Sequence, residues 1–229
     1  MKILLLETAT PVCSVALASD GVILSERVSA DNNAHSAKLA TFIDELFVEA
    51  GWSMKELDAV CVSSGPGSYT GLRIGVSSAK GICYALDIPL LAVPTLQSIA
   101  EQYFDMHKEY SGYVCPMLDA RRMECYTAVY DRNGCVRETK AEIIEAGMYD
   151  VYMNEHQMVF VGNGAAKTET ILSVNSNALF DNSFVVSAKG MLHTAERKLL
   201  EGDKEDVAYF EPFYLKDFVA KKSEVHGLR

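Results

Sequence analysis

One order of elements occurs twice in this chain, and that repetition restricts the fold more than any single residue does. Hydrophobic periodicity predicts strands over residues 3–6, 13–17 and 22–28, with Asp20-Gly21 turning the second into the third. A helix is predicted from residue 36, because Leu39, Phe42, Ile43, Leu46, Phe47 and Ala50 recur on one helical face and Gly51 suits a left-handed stop. A buried strand at 59–63, a glycine-rich loop feeding a helix to residue 86, a short strand at 90–93 and a helix capped by Thr95 follow. The second half runs in the same order. Strands are expected at 113–118, 124–130 and 135–140, with Asn133-Gly134 as the hairpin signal. A helix at 142–149, a strand at 157–161, a helix at 164–173, a strand at 184–186 and a helix at 187–200 complete the set. This order predicts an α/β chain of two related lobes with a cleft between them. No low-complexity linker separates them, so the lobes should pack directly.

Composition narrows the function classes. Residues 1–110 carry 7 basic and 13 acidic side chains and the remainder 14 and 18, for a formal charge of −10. Neither half has the basic excess that counters phosphate repulsion over a whole surface. Lys216, Lys221, Lys222 and Arg229 form a local exception, read as a solvated tail. No apolar run is long enough to span a bilayer, and only four apolar residues precede Glu7, which argues against a signal peptide and for a cytoplasmic protein. Six scattered cysteines without a C-x-x-C pair are read as small reduced residues. The five histidines show no H-x-x-x-H or H-E-x-x-H spacing, so no metal site is expected.

The strongest local signature is the run Gly65-Pro66-Gly67-Ser68-Tyr69-Thr70-Gly71-Leu72-Arg73-Ile74-Gly75, between a strand and a helix. Backbone N–H groups in such a loop can hold an anion; the alternative is a tight turn that needs small residues. It is not a Walker A loop, because five residues separate Gly65 from Gly71 and Leu72-Arg73 follows. The helix after it spaces Gly71, Gly75 and Ala79 four apart, with Ser77, Ser78 and Gly81 alongside. Glycine costs a helix about 1 kcal/mol relative to alanine, so a backbone is expected to approach this face closely. That backbone is either the chain's own first helix or a helix of another subunit. Glu7-Thr8-Ala9-Thr10 and Asp119-Ala120-Arg121-Arg122 end the first strand of each half, where ligands sit in α/β sheets. The first reads as a phosphate and metal site or as a strand junction. Asp119 reads as a metal ligand, a base, or half of an ion pair with Arg121. Gly162-Asn163-Gly164-Ala165 reads as an adenosine approach or as a turn.

Taken in order, residues 1–10 and 13–17, His35-Ser36-Ala37-Lys38-Leu39, the glycine-rich run, Asp119-Ala120-Arg121 and Pro212-Phe213-Tyr214-Leu215-Lys216 resemble the TsaB (YeaZ) family over nearly the whole chain. The resemblance implies the actin-like, sugar-kinase-like ATPase fold: two ribonuclease-H-like lobes, here 1–108 joined by 212–229, and 109–211. It implies a non-catalytic, dimerising subunit in threonylcarbamoyladenosine formation beside the tRNA anticodon. The partner is a TsaD-like catalytic paralogue, with a TsaE-like ATPase completing the complex, a homodimer as a further state, and tRNA held mainly by the partner. The implied interface is carried by Leu39, Phe42, Ile43, Leu46, Gly71, Arg73, Gly75, Ser78, Ala79 and Ile82. Glu7, Thr8, Asp119, Gly162 and Gly164 would then line a vestigial nucleotide cleft with at most weak ATP or ADP binding, since Ala9 stands where the superfamily's phosphate loop has glycine. The alternative is an ATP-hydrolysing or kinase-like enzyme built on those same cleft residues.

Overall fold

The computed structural model describes residues 1–31 and 34–216. The loop at Asn32-Asn33, the basic residues Lys221, Lys222 and Arg229, and the 217–229 part of the C-terminal stretch lie outside the described residues.

The first half forms β1 (Lys2–Glu7), β2 (Cys13–Ser19), β3 (Val22–Ser29), α1 (Ala34–Ala50), β4 (Ala59–Ser63), α2 (Tyr69–Leu86), β5 (Leu90–Val93) and α3 (Thr95–Met106). The second forms β6 (Tyr113–Asp119), β7 (Glu124–Asp131), β8 (Gly134–Ile143), α4 (Asp150–Met153), β9 (Met158–Val161), α5 (Glu169–Leu172), β10 (Ala178–Asp181) and α6 (Leu192–Glu201). The sheets run β3-β2-β1-β4-β5 and β10-β9-β6-β7-β8, which is one topology used twice. In each, two antiparallel hairpin partners flank the central strand on one side and two parallel strands on the other.

The middle of β1, Ile3–Leu6, is apolar throughout because both of its faces are covered. Leu4 and Leu6 face α1 and α2, together with Leu39, Ile43, Leu46, Val76 and Ala79. Ile3 and Leu5 face the other way, onto Ala188, Met191, Leu192 and Ala195. The helices therefore do not follow a boundary at residue 108. The α3 residues Leu96, Ile99 and Ala100 pack with Val114, Leu118 and Val159 of the second sheet. In exchange, the 188–191 turn and α6 cover the first sheet.

Three predicted elements differ. The strand read at 184–186 is an irregular segment that buries Val186 beside α3, and the fifth strand of the second sheet is β10 instead. The helix read at 142–149 is replaced by the end of β8, where Glu142 accepts hydrogen bonds from Thr127 and Tyr149 and pairs bidentately with Arg137. The 164–173 helix breaks into a 3₁₀ turn, Ala166–Thr168, and the single turn of α5. Cys13, Cys61, Cys83, Cys115 and Cys125 are buried free thiols, and burial raises the thiol pKa of each.

Candidate functional site

At the carboxyl end of β1 the chain meets the glycine-rich loop and the start of α2. Three glycines spaced four apart make the meeting possible. A Cβ on Gly67 would lie 2.4 Å from the Ala9 carbonyl oxygen, one on Gly71 2.1 Å from the Thr8 carbonyl oxygen, and one on Gly75 2.2 Å from Thr8 Oγ1. Ser68 N–H donates to the Ala9 carbonyl at 2.6 Å, and the Ser68 side chain caps α2 by accepting from Gly71 N–H. The close approach demanded by the small residues is thus made by Thr8-Ala9 of the same lobe.

Glu7 and Thr8 are wholly buried beneath this contact. Glu7 Oε1 accepts from Ala9 N–H at 2.6 Å, while Glu7 Oε2 and Thr8 Oγ1 have no hydrogen-bond partner among the described residues. Desolvation by burial pushes the Glu7 carboxyl up to about 7, against the pull of the Ala9 N–H.

Next to this junction lies a cleft of about 520 Å³ lined by both lobes, among them Ala9, Tyr69, Asp119, Arg121, Asn163 and Tyr214. Asp119 sits on its wall. Burial raises its carboxyl pKa, but the Lys167 ammonium and the Arg121 N–H outweigh that, and it is held below the ordinary carboxylate range. Asn163 Oδ1 accepts from Asp119 N–H at 3.2 Å. A strap from the C-terminal stretch crosses the first lobe and reaches the cleft. Glu205 N–H donates to the Leu90 carbonyl, and Lys80 Nζ to the Ala208 and Phe210 carbonyls. Phe213 N–H donates to the Ser64 carbonyl at 2.7 Å. Gly65, at φ +112°, admits the strap, since a Cβ there would be 2.5 Å from the Phe213 carbonyl oxygen. Arg73 stacks 3.9 Å from the Tyr69 ring centre and donates to Tyr214 Oη, and Lys216 pairs with Glu124 of the second lobe.

The expected cleft set therefore separates. Asp119 faces the cleft; Glu7 and Thr8 do not. Gly162 and Gly164 serve backbone packing, because their Cβ atoms would lie 2.6 Å from the Met117 carbonyl oxygen and 2.8 Å from the Leu118 carbonyl carbon. The residues present do not fit a nucleotide's phosphates at the end of β1, where Thr8-Ala9 and the three glycines fill the space against each other. The expected interface set separates too. Leu39, Ile43, Leu46, Gly71, Gly75 and Ala79 are buried in their own lobe. Phe42, Ser78 and Ile82 are half-buried, and Arg73 belongs to the strap contact. Lys167 carried no sequence signal, and Tyr214 stood only in the Pro212–Lys216 motif with nothing to place it at the cleft, since each meets the cleft through a fold-dependent contact. Among the described residues, no three His, Cys, Asp or Glu side chains gather to hold a metal ion, and no helix is long and apolar enough to cross a membrane.

Two sheets of identical order around an interlobe cleft define the class: an α/β chain of the duplicated, actin-like ATPase and sugar-kinase fold. An activator of 2-hydroxyisocaproyl-CoA dehydratase from Clostridium difficile shares that fold at a TM-score of 0.54 and 10% identity, over 89% of this chain and 97% of that one. YeaZ from Pseudomonas aeruginosa superposes at a TM-score of 0.80 with 26% identity, over 93% of this chain and 99% of that one. The tRNA threonylcarbamoyladenosine biosynthesis protein TsaB of Escherichia coli is 31% identical over 97% of both chains. A family model, TsaD: tRNA N6-adenosine threonylcarbamoyltransferase, matches residues 22–223. The chain belongs to the TsaB family of tRNA threonylcarbamoyladenosine biosynthesis proteins.

Proposed function

We propose that this chain is the supporting, non-catalytic subunit of a tRNA threonylcarbamoyladenosine-forming complex and docks on a TsaD-like paralogue. One observation carries the reading. The place where an actin-like ATPase would seat phosphate is packed with the protein's own Thr8-Ala9, and its carboxylate, Glu7, is buried beneath. A general acid or base must lie within hydrogen-bond reach of the proton it moves, and Glu7 is not among the residues that line the cleft.

The outward face of α2 supports the docking half. Ser77, Gly81 and Ala85 form a second line of small residues spaced four apart, and all three are exposed. A Cβ on Gly81 would meet nothing within 4 Å among the described residues, so this glycine serves no close contact with them. Half-buried Phe42, Ser78 and Ile82 and the 84%-exposed ring of Tyr84 border the line. Such a surface lets a partner helix approach closely and bury an aromatic side chain.

Purified chain and TsaD-like partner, combined with the remaining components and unmodified tRNA, test the reading. Modification should need this chain, and Asp119→Ala should leave it unchanged. Gly81→Leu should keep the fold but lose the partner in a pull-down. Turnover of Mg-ATP by the chain alone that Asp119→Ala abolishes would instead favour a kinase-like enzyme.

A further inference from the structure

The proposed supporting role leaves RNA to the partner, and a net charge of −10 argues the same way for the surface as a whole. The mouth of the interlobe cleft is different. Asp119, the one carboxylate among its lining residues, is paired with Lys167, and Glu124 at the start of β7 is paired with the lining residue Lys216. No carboxylate among the described residues forms an ion pair with Arg73, Arg121 or Arg122. Arg121 and Arg122 are exposed, Arg121 on the cleft wall and Arg122 beside it. The same cleft is lined by Tyr69 of the first lobe and by Tyr214, their ring centres 5.1 Å apart, and by Tyr126.

The backbone at the two arginines is the second observation. They link β6 to β7, with Ala120 N–H on the Glu124 carbonyl and Glu124 N–H on the Arg121 carbonyl. Arg121 has φ +75° and Arg122 φ +51°. Left-handed backbone is adopted most easily by glycine, which has no Cβ to clash, and next by asparagine or aspartate, whereas a long side chain such as arginine is disfavoured there. The turn thus holds two long cations where the backbone favours short residues. Among the described residues neither guanidinium has a carboxylate ion-pair partner to offset that strain, which directs attention to an external anion.

The geometry points to a direct RNA contact at the cleft mouth, with phosphates on Arg121 and Arg122 and an unpaired base against the Tyr69–Tyr214 rings. Guanidinium groups pair bidentately with phosphate oxygens, and tyrosine faces stack unpaired bases without needing a particular sequence. This inference rests on the tRNA-modifying role proposed above and assigns part of the substrate to this subunit rather than to its partner.

The test uses the assembled complex of this chain with the TsaD-like partner and an unmodified tRNA transcript, titrated between 50 and 200 mM salt. Arg121→Asn/Arg122→Gly keeps or improves the turn while removing both cations. It should melt no lower than the parent and hold the partner equally well. Its RNA Kd should rise about tenfold, and its salt slope should fall by about 1.4, the share of two single-strand phosphate contacts. Photo-cross-linking to 4-thiouridine tRNA should label the peptide carrying Tyr214. Unchanged Kd and slope in the folded variant would overturn the proposal, as would loss of the partner in step with loss of RNA, which would make the patch a protein-docking surface. If Asn-Gly disturbs the hairpin, Arg121→Gln/Arg122→Gln reads the same quantities. If no complex forms at all, the supporting-subunit reading fails, and cross-linking to the chain alone still decides the RNA contact.

Discussion

Glu7 is the residue whose behaviour departs furthest from what its sequence position implies. Read as the acid of a phosphate site, it is a buried carboxyl whose ionisation is held back to about 7 from an ordinary 4.5. Below about pH 4.5 the folded and unfolded chains both carry this proton. Between there and pH 7 only the unfolded chain gives it up, so the native state loses stability across that window and stays at the lower level above it. Glu7→Gln removes the titration and keeps the shape. The variant should gain over the parent as pH rises from 5 to 8, reaching about 2–3 kcal/mol. Urea midpoints of both proteins at several pH values measure this. A gap that does not widen with pH would show that Glu7 is charged in the folded protein.

At the scale of elements, α2 has two small-residue lines that a sequence cannot tell apart. Gly71, Gly75 and Ala79 face inward; Ser77, Gly81 and Ala85 face out. Two alanine substitutions separate them. Gly81→Ala adds a Cβ into open space and removes a helix-interior glycine, so it should stabilise the protein by about 0.5–1 kcal/mol. Gly75→Ala places a Cβ 2.2 Å from buried Thr8 Oγ1, and should destabilise it by about 1–3 kcal/mol of overpacking. Thermal melts that rank the two the other way would reverse the assignment of the faces. Much of the fold was legible. The apolar runs of β1, β4 and β9, the hairpin signals Asp20-Gly21 and Asn133-Gly134, and the heptad-like face of α1 are all local patterns. What was not legible depends on distant partners. Glu142 stays in β8 because Arg137, Thr127 and Tyr149 surround it. The candidate site was half legible. Asp119 was placed by the strand-end rule, while the approach of Lys167 and Tyr214 to the cleft depends on distant contacts and the left-handed conformation of Arg121-Arg122 left no trace in an Arg-Arg dipeptide.

For the whole molecule, the exchange of helices decides how it unfolds. The α3 segment leaves the first sheet and builds the core of the second, while residues 188–201 leave the second and close the first. Neither sheet has both faces covered by its own half of the chain. Cutting at residue 108 would bare Ile3, Leu5 and Leu91 on one piece and strip Leu96 and Ile99 from the core of the other. The lobes should therefore unfold in one transition although they hold separate sheets. Trp52, the sole tryptophan, packs against the first lobe's core and reports on that lobe alone. Phe160 lies deep in the second, its ring 5.5 Å from that of Tyr149 and 5.0 Å from that of Phe180. Phe160→Ala should cost about 3–5 kcal/mol through the cavity it leaves. In one cooperative transition that loss appears in Trp52 fluorescence, whose urea midpoint falls together with the tyrosine near-UV signal. In two independent transitions the Trp52 midpoint stays in place while the tyrosine signal moves, and the helix exchange would then be too weak to couple the lobes.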